Sequence, residues 1–247
     1  MVGAPAAADA VSRAHRLPRL KVGLHITVIE GRPVLPPGEV PALVGADGQF
    51  RSNPAAAGAR IFFDPAARAQ LAREIAAQFA AFRATGLALD HVNAHKHMQL
   101  HPTVARLIVE IGRDFGMRAM RIPAEPADLL RLAQAVRGER LIAILHAPFA
   151  ALLRRRVRAA GLVANDRLLG LAWTGGMNEA RLLRLIDLLP PGVSELYLHP
   201  ATSRSQALAR VMPDYRQTEE LAALLSPAVR RKIDTEGIAL VAYGEVG

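Results

Sequence analysis

A chain of 247 residues is long enough for one large domain with a sizeable core, and a single α/β barrel is of about this size. Hydrophobic residues make up 51% of it and aromatics only 4%, so Ala, Leu and Val must fill most of the interior, and the absence of Cys rules out disulfides. The formal charge of +9 comes from arginines scattered at helical spacing, as at Arg68, Arg73 and Arg83, without the interleaved aromatics that stack bases, so nucleic acid is not an expected partner.

The opening Met1-Val2-Gly3-Ala4-Pro5 lacks the basic and apolar segments of a secretory signal, and no apolar run is long enough to span a bilayer, so a cytoplasmic protein is expected. Periodicity predicts a helix over residues 6–16, then a strand over 20–27 that carries His25 near its carboxyl end. Residues 30–58, rich in Pro and Gly, should form a long excursion above that strand, and loops of this length are more often functional than idle. Asp64-Pro65 opens a helix over 65–85, closed by Gly86, and a strand follows over 87–93. Four of the eight histidines then fall between His91 and His101. His101-Pro102 opens a helix over 102–115, closed by Gly116, and the strand over 117–122 carries Arg121. Helices are predicted over 127–136 and 140–160. The apolar run 141–153 in the latter ends in Arg154-Arg155-Arg156-Val157-Arg158, a pattern shared by buried helices with a basic end and by helices lying on anionic membranes. A strand over 167–172 leads into Trp173-Thr174-Gly175-Gly176, a helix spans 178–188, and a strand over 193–198 ends at His199-Pro200. A helical segment around Ala207, a helix over 218–234 and a strand over 238–243 complete the chain.

Strands alternating with helices predict an α/β fold built on a parallel sheet, and six such units favour a barrel. In parallel βα folds ligands gather at the carboxyl ends of the strands. His25, His95, His97, Arg121, Thr174 and His199 all fall there. Imidazole is the commonest protein ligand for divalent metals, so a metal site is the leading chemistry. Each residue has a plainer reading. His25 by itself is a hydrogen-bonded core histidine. His95 and His97 point the same way if extended, so His97 is a ligand, a partner of a ligand or a substrate contact. His101 borders or caps a helix and His91 is exposed. Arg121 is a substrate anchor or the partner of Glu125, and Thr174 a turn residue.

Val22-Gly23-Leu24-His25, residues 78–102 with His95-Lys96-His97, Arg121-Ile122-Pro123, Thr174-Gly175-Gly176-Met177 and Glu195-Leu196-Tyr197-Leu198-His199-Pro200, in this order, resemble the YdjC-like family of carbohydrate deacetylases. The resemblance covers nearly the whole chain. The run His95-Lys96-His97-Met98-Gln99-Leu100-His101-Pro102, with Leu171-Ala172-Trp173-Thr174 and Leu198-His199-Pro200-Ala201, is most similar to the branch associated with hopanoid biosynthesis. The resemblance implies a distorted, seven-stranded (β/α) barrel that removes acetyl groups from N-acetylated sugars with a divalent metal held by one Asp and two His. It implies His25 and His95 as the metal ligands, with His97 beside them, and His199 as the general acid or transition-state contact, with Zn, Mg, Mn, Co and Ni all open as the metal; His97, Arg121 and Thr174 are the expected substrate-binding residues. The branch implies an N-acetylglucosaminyl hopanoid, a glycolipid at the inner face of the membrane, and gives the run before Arg154 a purpose as a surface that meets lipid.

The family's third ligand belongs to an Asp-Asp pair ending its first strand, and no two aspartates are adjacent in this sequence. The expectation is therefore one barrel domain over residues 1–247 with six of seven strands, an amino-terminal piece missing, and poor stability and activity. The alternative is a non-catalytic sugar-binding relative that keeps the pocket without the metal.

Overall fold

The structure is a computed structural model that describes residues 1–134 and 137–246; the last two residues of the predicted helix 127–136 lie outside them. The chain divides into two compact units, one of residues 1–121, 151–164 and 242–247, the other of residues 122–150 and 165–241.

The first unit is built on a parallel pair, β1 (Val22–Ile26) and β2 (Leu89–Ala94), in which His25 lies opposite Asn93 and Ile26 opposite Ala94. Parallel bridges from Val92 to Met120 and from Ala119 to Val163 continue the arrangement. Leu24, Ile26, Val92 and Met120 are fully buried, as are Leu71, Ile75 and Ile108 from the helices alongside. Those helices are α3 (Pro65–Ala84) and α4 (Pro102–Asp114), preceded by α1 (Ala7–His15) and α2 (Pro54–Phe63). Helix α3 starts where Asp64 Oδ1 accepts the Ala66 and Ala67 amides at 2.8 and 3.3 Å, with Pro65 in the first turn, where its missing N–H costs nothing.

Two buried polar residues of α3 fix the excursion after β1. The Gln78 side chain accepts from the Thr27 amide at 2.9 Å and donates to the Thr27 carbonyl at 2.7 Å, as a neighbouring strand would. Glu74, wholly buried, accepts the Val34 and Leu35 amides at 2.8 and 3.0 Å and the Gln78 amide at 2.9 Å. Buried carboxylates persist only with such partners.

The second unit contains α5 (Ala127–Leu132), the first part of α6 (Arg137–Ala159), α7 (Glu179–Asp187), α8 (Gln206–Val211), α9 (Gln217–Leu224) and α10 (Pro227–Thr235). They accompany a second parallel pair, β3 (Arg167–Leu169) and β4 (Ser194–Leu196). Its core joins Leu129, Leu130, Leu169, Trp173, Leu182 and Leu185. Wholly buried Asn165 bonds both the amide and the carbonyl of Ile122, at 2.7 and 2.9 Å.

The α/β character expected from sequence holds, but the strand count does not. Among the described residues four strands form two two-stranded parallel sheets, where six strands were expected. Residues 117–122 contribute only the bridge residues Ala119 and Met120. Residues 238–243 form no strand; Leu240 and Val241 are 65% and 54% exposed. An apolar run announces a strand's composition but not whether a neighbour is there to pair with it. The predicted helix 218–234 is two helices, because Pro227 cannot continue the first and Ser226 Oγ caps the second through the Ala228 and Val229 amides at 3.1 and 3.3 Å. Helix α2 begins inside the excursion at Pro54 and runs past its expected end at residue 58.

Candidate functional site

His25 sits on β1 and His95 follows β2, so the parallel register carries both to the same, carboxyl-terminal end of the pair. Their rings meet edge to face with centroids 5.6 Å apart, and His25 Nε2 lies 3.5 Å from His95 Nδ1.

The hydrogen bonds around the pair decide which nitrogens carry protons. His25 Nδ1 is 2.5 Å from Asn93 Oδ1, an atom that can only accept, so Nδ1 donates and Nε2 keeps its lone pair. The amide orientation of Asn93 is itself fixed. Its Nδ2 lies 3.4 Å from His91 Nε2, while His91 Nδ1 donates to Asp90 Oδ2 at 2.9 Å. On the other side His95 Nε2 donates to Glu30 Oε2 at 3.1 Å, which in the neutral ring leaves the lone pair on Nδ1. Two lone pairs therefore face each other, and something positive belongs between them. Two imidazoles bound at about 2.0–2.1 Å to one tetrahedral ion place their nitrogens roughly 3.4 Å apart, against 3.5 Å here. The anchoring of each far nitrogen by Asn93 and Glu30 is the arrangement that orients metal-binding imidazoles.

Electrostatics keep this site ready for a cation. Burial, the largest influence, takes His25 down to about 3, against the hydrogen bond it donates to Asn93 and with help from the amino terminus, His95 and Arg121. His25 is thus neutral at physiological pH. Burial pushes the Glu30 carboxyl up, but bonds and charge from Lys96 and His95 outweigh this and hold it below the usual range. The residues present fit two metal-donor positions. Among the described residues no set of three His, Asp or Glu side chains converges to hold an ion.

Lys96 and His97, the next residues, both adopt the left-handed conformation, with φ of 47° and 55°. The chain turns sharply, so the expectation that His95 and His97 project together from an extended segment is corrected. Two consecutive side-chain-bearing residues in this region are strained, and such strain persists where a site holds it. Glu30, also left-handed at φ 54°, pairs with Lys96 across the same turn. His91, read as exposed, is half-buried against Tyr243, with ring centroids 4.7 Å apart. His101 borders α4 without capping it. The Arg121 amide donates to the Val92 carbonyl at 3.0 Å, which places Arg121 on the backbone segment beside β2. A cavity of about 530 Å³ is bounded by Glu30, Asp47, Gln49, Arg51, Ser52 and Asn53, polar residues of the excursion.

The remaining predicted residues belong to the second unit. His199 follows β4 between two aromatic rings, with centroids 4.6 Å from Tyr197 and 5.0 Å from Tyr215, and its Nε2 is 2.9 Å from the Tyr197 hydroxyl. Glu220, wholly buried on α9, accepts the His199 amide at 2.5 Å and the Met177 amide at 3.0 Å, tying the segments after β3 and β4 together. Glu125 accepts the amides of Gly170, Leu171 and Ala172 at 2.6, 3.1 and 2.8 Å. Thr174 Oγ1 donates to the Leu171 carbonyl at 2.6 Å, so its proton is used in the turn and the hydroxyl can act toward a ligand only as an acceptor. The sequence reading missed Glu30, Asn93, Glu220, Tyr197 and Tyr215. Asn93 alone had a local signal, since it ends a strand two residues before His95.

The sequence profile of the family described as YdjC-like protein matches residues 1–235. The chain belongs to that family. This YdjC-like chain is 27% identical to a carbohydrate deacetylase of Geobacillus stearothermophilus, an alignment covering 99% of the chain and 84% of that protein. It is 28% identical to one from Mus musculus, covering 96% and 80%. It is 41% identical to one from Vibrio vulnificus strain CMCP6 over 115 residues, 47% of the chain and 43% of that protein. Among solved structures it superposes with a TM-score of 0.73 and 21% identity on a protein of Enterococcus faecalis V583 proposed to cleave cellobiose phosphate, covering 98% of this chain and 84% of that one. That likeness concerns the fold.

Proposed function

We propose that this YdjC-like protein is a metal-dependent carbohydrate deacetylase that hydrolyses the acetamide of an N-acetylated amino sugar. The observation that supports this reading most is the pair of opposed lone pairs on His25 Nε2 and His95 Nδ1. The activity carried by its relatives' names supports the substrate class. In this reading His25 and His95 hold a divalent ion, with Asn93 and Glu30 fixing their tautomers. The ion, when bound, polarises the acetyl carbonyl and the attacking water. Water adds to that carbonyl, the C–N bond breaks, and the proton that the water gives up ends on the departing amine as acetate leaves. His97 and Arg121, in the same unit as the histidine pair, contact the sugar. The finer form of the proposal is an N-acetylglucosaminyl hopanoid as substrate, on a (β/α) barrel. It rests on the residue run around His95 and on the segments before and after His199.

Two imidazoles hold a divalent ion weakly, so the reading expects acetate release that climbs steadily as metal is added. The assay is acetate liberated from diacetylchitobiose with Zn, Co, Ni, Mn or Mg. His25→Ala and His95→Ala should each cost at least about a hundredfold. A second reading, a sugar-binding relative without catalysis, draws on the lack of a converging three-donor set. Saturable binding of the disaccharide with no acetate released under any metal would establish it and overturn the first.

A further inference from the structure

Helix α6 is apolar on both sides. Ala143, Ala150, Leu153 and Val157 form a narrow buried seam. Opposite that seam Leu141, Ile142, Ile144, Leu145, Phe149 and Leu152 are 43–60% exposed. At 100° per residue these six fall on one broad stripe along the helix. Soluble proteins seldom leave so much contiguous apolar surface in water without a use for it. Helix α6 has 23 residues with Pro148 inside it, and no helix among the described residues is long and apolar enough to cross a membrane. The helix closes on Arg154, Arg155, Arg156 and Arg158, of which Arg155 and Arg158 are exposed. Arg156 donates to the Pro102 carbonyl at 2.7 Å.

We propose that α6 is an in-plane membrane anchor: its exposed apolar stripe enters the interfacial layer of an anionic bilayer while the arginines at its end meet lipid phosphates. Charge selects this occupant. A second copy of the chain would bring the same +9 and another arginine cluster to the contact, whereas anionic headgroups neutralise it. The inference stands on exposure and charge alone and does not depend on the deacetylase reading.

The test is flotation of the full chain with vesicles of phosphatidylcholine alone and of phosphatidylcholine mixed with an equal part of phosphatidylglycerol. Binding to the mixed vesicles should be at least about tenfold tighter and should weaken with added salt. The double variant Leu145→Glu, Phe149→Glu should lose it with little change in the melting temperature, because the two side chains are 60% and 48% exposed in the folded protein. Leu145→Trp keeps the face apolar, and its fluorescence should shift to the blue on adding mixed vesicles, above the constant signal of buried Trp173. Three outcomes overturn the proposal: no flotation with anionic vesicles, flotation unchanged in the double variant, or a dimer by light scattering that the double variant turns into monomer.

Discussion

Asn93 and Glu30 do for the two histidines what neither can do alone. Each accepts a hydrogen bond from the far nitrogen of its ring and so commits the near nitrogen of the neutral ring to a lone pair. Glu30→Gln keeps an acceptor but removes the negative charge beside the His95 ring. It should weaken metal affinity by about tenfold with little change in fold, as a titration of zinc into the variant would show. Unchanged affinity would mean that Glu30 serves Lys96 alone. His25 also governs stability against pH. Its folded value of about 3 lies below the ordinary 6.5, so between these limits the unfolded chain binds the proton that the folded chain refuses. The stability it contributes is complete above pH 6.5 and falls away as pH drops toward 3, by up to about 1.4 kcal/mol per pH unit. His101, also lowered by burial, adds in the same direction. Urea melts across this range should show a decline that His25→Gln flattens. An equal slope in the variant would assign the acid sensitivity elsewhere.

At the scale of elements, the segments after β3 and β4 are held by close backbone approaches that only certain residues permit. Gly175 has φ of +78°, and a Cβ there would come within 2.4 Å of Tyr215 Cγ. Gly175→Ala should therefore strain the turn and push the Tyr215 ring away from His199, costing about 2–4 kcal/mol, measurable as a fall in the urea midpoint. An unaltered midpoint would show that the Tyr215 ring moves aside freely. The same scale explains what the sequence could and could not say. Helices α3, α4 and α7 were legible because Pro or Asn at their starts and a regular apolar face agree. His25 and His95 were legible as neighbours because a parallel pairing of their strands brings both carboxyl ends together. The break at Ser226-Pro227 was written in the residues and overridden by the apolar period on either side. The sharp turn at Lys96 and His97 could not be read, since neither is glycine and the left-handed conformation is imposed by the contacts of the folded chain.

On the whole-molecule scale, the α/β class and the family were within reach of the sequence, while the strand count was not, because pairing is a property of two segments and composition of one. Glu30 illustrates the same limit. It comes to His95 only because Gln78 and Glu74 of α3 fold the excursion back, a consequence of tertiary packing that no local pattern announces. The account turns on a cation between His25 and His95, and anomalous scattering at the zinc edge from crystals grown with the metal tests it most directly. The account predicts one strong peak about 2.0–2.1 Å from both His25 Nε2 and His95 Nδ1, lost in His95→Ala. A map with no peak between these rings, or with its peak at other residues, would contradict it.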